Sequence, residues 1–200
     1  MHCKRFVFLV LTIGLFTAAL PAYSQVASAY SAPSVPLSIG VGGSSYDVDW
    51  GHGRMIGGTV WADWYPHAIE AVTHMRGLGL EFEARDISLN QHLPAQTNIR
   101  QDTAGGGLIY NWHLTRRFRP YFKELLEDGS VDFTASPTYS HDTRGVVASG
   151  GGIEYRFYGP LKVRADYEYQ YWFGPLIRKT LNPQGFTVGI ALDLSHPQGR

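Results

Sequence analysis

Charged side chains recur at every second position in several segments of this chain. In the segment 161–172, LKVRADYEYQYW, they alternate with apolar and aromatic residues from Lys162 to Glu168. The charged set on such faces is Glu81, Glu83, Arg85, Lys123, Glu154, Arg156, Lys162, Arg164, Asp166, Glu168 and Asp193. Groups of both signs held together could form a proton path, a substrate site or a structural network in which the charges neutralise one another.

Two further residue patterns that could take part in catalysis or metal binding are weaker signals. Ser140 and His141 could serve a hydrolase, but adjacent residues on a strand point to opposite faces, and no His-x-Ser-Asn type motif occurs. The histidines are scattered without metal-ligand spacing. Besides His2 near the N-terminus, they are His52, His67, His74, His92, His113, His141 and His196. We therefore predict no catalytic residue, no metal site and no cofactor, with Ser140 and His141 in a solvated loop.

The elements that hold the charges read as extended strands. Side chains on a strand alternate between its two faces, and a tilted strand needs roughly 9–11 residues to cross a bilayer. The alternation predicts eight strands, at 37–47, 57–65, 76–87, 104–114, 119–128, 147–158, 161–172 and 185–194. The fifth is the least regular, because Glu124 shares a face with Phe122 and Leu126.

The connections between these strands differ in length. Short links join strands four and five and strands six and seven, whereas 88–103, 129–145 and 173–184 are long. Short turns at one rim and long loops at the other are typical of barrels that cross an outer membrane. The link 66–74 departs from this rule, and we expect it to hold extra strand or a bent turn.

The N-terminus predicts export. Lys4 and Arg5 precede an apolar run, and Ala22-Tyr23-Ser24 offers small residues for cleavage, so we expect a cleaved signal peptide over 1–24. Residues 25–35 form a low-complexity, flexible lead-in, 36–194 the barrel and 195–200 a C-terminal tail. Cys3 is the only cysteine, so the mature chain has no disulfide. With 17 basic and 17 acidic residues, no strongly basic face is available for nucleic acid.

Alternation alone also fits a soluble eight-stranded barrel with an apolar lumen. The glycine-rich polar faces and their mixed charges favour the inverted arrangement, with polar groups inside. Aromatic residues near the strand ends predict two girdles at the membrane surfaces. One comprises Trp64, Trp112, Tyr121, Phe122, Tyr155 and Phe157, and the other Tyr46, Trp50, Tyr169, Tyr171, Trp172 and Phe186. We therefore predict an all-β fold, an eight-stranded antiparallel up-and-down transmembrane β-barrel.

Four segments carry a resemblance to a known family. They are RPYFK at 119–123, SGGGIEYR at 149–156, ADYEYQ at 165–170 and GFTVGI at 185–190. With this pattern, residues 36–194 resemble the small outer-membrane β-barrel proteins of the OmpA-like transmembrane domain superfamily. The resemblance implies a location in the cell outer membrane of a Gram-negative-type bacterium, and lipid, lipopolysaccharide and the barrel-assembly machinery as partners. The family usually ends on an aromatic residue, whereas this chain has Leu194 followed by SHPQGR.

The function expected from these observations is non-enzymatic. An eight-stranded barrel has an interior that side chains just fill, so the charged set is expected to be a structural polar network. We expect a monomer that serves envelope integrity, adhesion or surface interaction through its three long loops. Two alternatives stay open: a lipid-modifying outer-membrane enzyme of the lipid A deacylase or acyltransferase type, and a soluble periplasmic ligand-binding barrel.

Overall fold

The computed structural model describes residues 36–47, 53–90, 97–112, 115, 117–135, 138–174 and 182–195. The predicted signal peptide, the lead-in and most of the tail lie outside this part of the chain. Within it, no helix is long and apolar enough to cross a membrane.

Eight antiparallel strands close into a barrel in sequence order. They are β1 Leu37–Asp47, β2 Arg54–Trp64, β3 Leu78–Asn90, β4 Thr97–Asn111, β5 Phe118–Ala135, β6 Thr138–Tyr158, β7 Leu161–Trp172 and β8 Gln184–Asp193. The first and last strands pair from Ser38 opposite Asp193 to Asp47 opposite Gln184. The predicted fold class is confirmed, because the ring has no free edge over this stretch.

The link between β2 and β3 contains a short helix, α1 (His67–Thr73), so the predicted extra strand or bent turn is wrong. The sequence HAIEAVT contains helix-favouring Ala and Glu and follows Pro66, the N-cap. The helix ends at Thr73 and is capped by His74, whose backbone takes a left-handed conformation with φ of 57° and whose N–H donates to the carbonyl of Glu70. This segment is long because it holds a helical turn rather than additional sheet.

The predicted loops 88–103 and 129–145 are also corrected, because most of their residues continue the strands. Strand β3 runs to Asn90 and β4 begins at Thr97, while β5 runs to Ala135 and β6 begins at Thr138. Pairing continues beyond the apolar part of the wall because the ladder still satisfies the backbone groups there. The third predicted loop, 173–184, falls largely outside the described residues.

The outward side chains form an apolar belt. Tyr167, Tyr169 and Tyr171 are each 41–45 % exposed and alternate with buried polar residues on β7. Other exposed members of the belt are Ile39, Val41, Val60, Phe82, Leu108, Phe122, Leu126, Ile153, Val188 and Ile190. This surface is matched to lipid, because the outer wall of a transmembrane barrel must present an apolar band to the bilayer.

Three residues of the predicted girdles point inward instead. Tyr46, Tyr121 and Trp172 are at most 3 % exposed, because each shares strand parity with lumenal residues rather than with the belt. Glycines make room for such rings: a Cβ at Gly189 would lie 2.7 Å from Trp61, another lumenal aromatic. Of the predicted girdle residues, Trp64, Trp112, Phe122, Tyr155, Phe157, Tyr169, Tyr171 and Phe186 are exposed. Trp50 lies outside the described residues.

The irregularity of strand five is that Glu124 lies on the lipid-facing side of the barrel together with apolar residues. Lys123 and Leu125 are fully buried, whereas Phe122 and Leu126 are 48 % and 67 % exposed on either side of Glu124. Its cross-strand partners are Leu108 and Ser149. The belt therefore carries a carboxylate among apolar neighbours.

Replacing Glu124 with Leu is expected to stabilise the barrel in a bilayer by about 1–2 kcal/mol, because a carboxylate facing hydrocarbon is unfavourable. The measurement is urea unfolding in lipid vesicles, followed by tryptophan fluorescence. The matched control is Lys123→Leu at the adjacent inward position, which should destabilise. A loss of stability in Glu124→Leu would contradict a lipid-facing placement.

Candidate functional site

The middle of the lumen is organised around two buried cations on different strands, Lys123 on β5 and Arg85 on β3. The ammonium of Lys123 lies 2.5 Å from Glu83, 2.8 Å from Glu168 and 3.2 Å from Glu81. Arg85 donates to Glu168 at 2.7 Å and also contacts Glu83. Because these carboxylates come from β3 and β7, the ion pairs connect opposite walls of the barrel.

Arg164 forms the next layer towards the short-turn end, where Gly159 and Pro160 join β6 to β7. Its guanidinium lies 2.8 Å from Glu81, 3.1 Å from Asp166 and 3.3 Å from Asp63. Its Nε also donates to the Tyr121 hydroxyl at 2.6 Å. The same guanidinium stacks 4.5 Å from the Tyr121 ring centroid. Every side of this cation is therefore met by a carboxylate, a hydroxyl or a ring face.

The last layer lies at the short-turn end itself. Lys162 contacts Glu154 at 3.2 Å and Asp193 at 3.7 Å, and Arg156 contacts Asp193 at 2.5 Å. The structure thus places all the charged residues selected from sequence inside the barrel, and every one except Arg156 is buried. The first two layers share Glu81, which contacts both Lys123 and Arg164. Within the last layer, Asp193 contacts both Lys162 and Arg156.

Several lumenal residues are not in the charged set selected from the sequence. Tyr46 donates to Glu168 at 3.1 Å and its ring lies 4.3 Å from the Arg85 guanidinium carbon. Glu127 is 4 % exposed, and neither of its oxygens has a hydrogen-bond partner among the described residues. Strand parity was the signal that could have found them, because each lies an even number of positions from a lumenal residue on its own strand.

Towards the opposite end, the lumen is filled by apolar side chains. Tyr46, Met55, Ile87, Val131, Val146 and Trp172 form this plug, with Leu89 and Ile99 packed against it. The Trp172 indole donates to Gln170 at 3.2 Å, which joins the plug to the polar layers. Polar network and apolar plug together occupy the lumen at successive levels.

Four strands, β3 to β6, continue beyond the belt at the end opposite the short turns, and we call this extension the protruding sheet. Pairing of β4 with β5 continues beyond Gly129 up to Ala135, and pairing of β5 with β6 continues up to Ala135 opposite Thr138. Pairing of β6 with β7 starts only at Val146 opposite Trp172. Among the described residues, the β6 stretch 138–144 therefore has no strand partner on its β7 side.

The outward face of the protruding sheet carries hydrogen-bonded charges. Arg100 binds both oxygens of Asp86, at 2.7 Å and 3.0 Å, and lies 3.4 Å from Asp102. Hydrogen bonding to Arg100 lowers the pKa of Asp86. Partial burial and the Asp86 charge raise the pKa of Asp102 to about 6. Acidic groups outnumber Arg100 on this face.

His141 lies on β6 within this sheet, so its predicted position in a loop is wrong. Its Nδ1 is 2.5 Å from Asp132 Oδ1, and its Nε2 is 3.3 Å from the Thr143 hydroxyl. The side chain of Ser140 lies outside what the structure describes. The residue that shares a face with His141 is Thr143, because residues two apart lie on one side of a strand.

A closed antiparallel barrel with an apolar belt outside and ion pairs inside defines a transmembrane β-barrel of the outer membrane. The chain belongs to the outer membrane protein beta-barrel domain family, whose model matches residues 8–193. It is an outer-membrane protein of the OmpA-like type, as the resemblance implied, and the end with the short turns is periplasmic in such barrels. No curated protein matches the sequence.

Solved structures with the same fold include three outer-membrane proteins of low sequence identity. Neisserial surface protein A is 12 % identical with a TM-score of 0.59, over 78 % of this chain and 95 % of its own. The attachment invasion locus protein of Yersinia pestis is 12 % identical with a TM-score of 0.55, over 78 % and 96 %. A major outer membrane protein of Thermus thermophilus is 11 % identical with a TM-score of 0.50, over 78 % and 98 %.

Replacing Arg164 with Met is expected to destabilise the barrel by about 3–5 kcal/mol, because Asp63, Glu81 and Asp166 would lose their shared cation while staying buried. Arg100→Met removes an exposed cation and is expected to cost less than about 1 kcal/mol. Urea unfolding in vesicles measures both. Equal effects of the two variants would contradict a stabilising role for the lumenal network.

Proposed function

We propose that this protein is a non-enzymatic surface-interaction protein that binds a partner through the protruding sheet. The observation that carries the proposal is the β6 stretch 138–144 above the belt, which has no strand partner on its β7 side within the part of the chain that the structure describes. An exposed strand edge can accept an extended peptide as a further strand, in which backbone hydrogen bonds supply affinity and side chains supply specificity.

The occupied lumen supports a role at the surface rather than in transport. Polar layers around Lys123 and Arg164 lie below an apolar plug that contains Met55 and Trp172. An aqueous path would have to displace these side chains, so the lumen is better suited to holding the barrel rigid. The rigid barrel would then hold the protruding sheet at a fixed height above the membrane.

The charge of the sheet favours a basic partner. Its outward face presents Asp86, Asp102 and Asp132 around a single arginine, Arg100, among the described residues. The attachment invasion locus protein has been solved with a heparin analogue, sucrose octasulfate, at 12 % identity and a TM-score of 0.56. A polysulfate is anionic, whereas the outward face of the protruding sheet is acidic. We therefore propose that this chain also acts at the cell surface but binds an extended basic polypeptide.

The backbone of Thr143 gives a direct test. Its N–H donates to the Asp142 side chain at 2.9 Å rather than to β5, so it faces the open edge. Thr143→Pro removes this donor without breaking the β5–β6 ladder, and proline is tolerated at strand edges. Thr143→Ala keeps the donor and is the matched control.

The assay is fluorescence anisotropy of an alternating Lys-Val octapeptide with the protein in lipid nanodiscs. We expect binding by the native chain and Thr143→Ala, and a loss of about tenfold, about 1.4 kcal/mol, in Thr143→Pro. A Glu-Val octapeptide should bind weakly. Equal affinity of both variants, or tighter binding of the acidic peptide, would refute recognition by a basic strand.

A second candidate function rests on the line of contacts from Asp132 through His141 to Thr143. A carboxylate on one imidazole nitrogen and a hydroxyl on the other is the arrangement that activates a nucleophile in acyl hydrolases. Thr143 would attack a lipid ester while His141 takes its proton and returns it to the leaving alcohol, and water would then release the acyl group.

Mass spectrometry of lipid A from cells with and without the protein decides the second candidate. The non-enzymatic proposal predicts identical acyl patterns. An acyl chain lost only in cells with the native protein, and retained with His141→Ala and Thr143→Ala, would establish the hydrolase instead. Arg144→Ala on the same strand controls for expression.

A further inference from the structure

The periplasmic mouth of the barrel contains a cavity of about 640 Å³. It lies between α1 and the short-turn ends of β1, β4, β5, β7 and β8. Its walls include Tyr65, Trp112 and Arg119, and its floor is formed by Ser38, Asn111 and Lys162. The volume is within the range of small-molecule sites, roughly 300–1,000 Å³.

The floor of the cavity presents hydrogen-bonding atoms that the protein leaves unused. Ser38 and Asn111 are 2 % and 3 % exposed, and neither Ser38 Oγ nor Asn111 Oδ1 has a hydrogen-bond partner among the described residues. The Asn111 side chain is oriented by its amide nitrogen, which donates to the Tyr65 hydroxyl. Its carbonyl oxygen therefore offers a fixed acceptor to an N–H or O–H from outside the protein.

Most charges around the cavity are already paired. Asp193 binds Arg156 and Lys162 through one oxygen and the Ser195 hydroxyl and N–H through the other. On the wall, Arg76 lies 3.3 Å from Glu70.

Arg119 is the exception among these lining groups. The described residues give it no ion pair or side-chain hydrogen bond. The cavity is therefore suited to a ligand with one negative charge, because the Arg119 guanidinium is free, within the described part of the chain, to form an ion pair with it.

We propose that this cavity binds a short peptide through its free C-terminal carboxylate. Arg119 binds the carboxylate through two parallel hydrogen bonds, a geometry that guanidinium groups favour. Asn111 Oδ1 accepts the peptide N–H, Ser38 bonds the adjacent carbonyl, and Tyr65 and Trp112 contact the small side chains. This site is at the opposite end from the protruding sheet and is independent of its function.

The test is isothermal titration calorimetry with the full barrel in lipid nanodiscs and N-acetyl-Ala-Ala as the probe. We expect binding by the native chain and a loss of at least about tenfold for the C-terminal amide of the same peptide, because the amide removes the charge. Inorganic phosphate, a more highly charged anion without an apolar part to contact Tyr65 and Trp112, should bind more weakly.

Two substitutions locate the binding. Arg119→Gln should weaken N-acetyl-Ala-Ala at least about tenfold, and Asn111→Leu should weaken the acid and the amide alike. Arg54→Gln, at the outer end of β2, is the matched control and should bind like the native chain. Native folding of each variant is checked by the mobility shift on boiling.

Three results with the native barrel would overturn the proposal. They are absence of binding by the natively folded barrel, equal affinity for the acid and the amide, and tighter binding of phosphate than of the peptide. A loss of affinity in Arg54→Gln equal to that in Arg119→Gln would likewise place the site elsewhere.

Discussion

The structure depends on keeping buried charges next to partners from other strands. Removing a charge from water costs several kcal/mol unless opposite charges and hydrogen bonds compensate for it. Arg164 on β7 meets Asp63 on β2 and Glu81 on β3, across the lumen. These contacts exist only when the ring is closed, so the electrostatics of the interior and the closure of the sheet require each other.

The sequence predicts the closed barrel, and it also predicts which charged residues belong to the lumenal network. The alternation in LKVRADYEYQYW assigns Lys162, Arg164, Asp166 and Glu168 to one face, and the structure places all four inside. The sequence does not predict which of these charged side chains form ion pairs with one another. Which carboxylate meets Arg164 depends on strand register and on the width of the barrel, and neither is set by local pattern.

The errors in the predictions have physical causes. Aromatic residue type indicated a girdle for Tyr46 and Trp172, but parity decides the face, and rings also fill space beside lumenal glycines. The sequence pattern predicts loops for most of the protruding sheet because the outward residues there are polar, where water replaces lipid. The contact between Asp132 and His141 could not be anticipated, because it depends on the strand pairing of that region.

Pairing of β1 with β8 also has a kinetic consequence. Ser38 lies opposite Asp193, so the ladder that completes the ring joins the two ends of the described chain. Contacts between residues so far apart in sequence form slowly, because the loop-closure entropy must be overcome before they contribute. Until the last strand arrives, β1 presents an unpaired edge and the lumenal charges face an open side. An unassisted chain is therefore most prone to aggregation just before β8 pairs with β1. A folding catalyst would have its largest effect on the rate of this closing step.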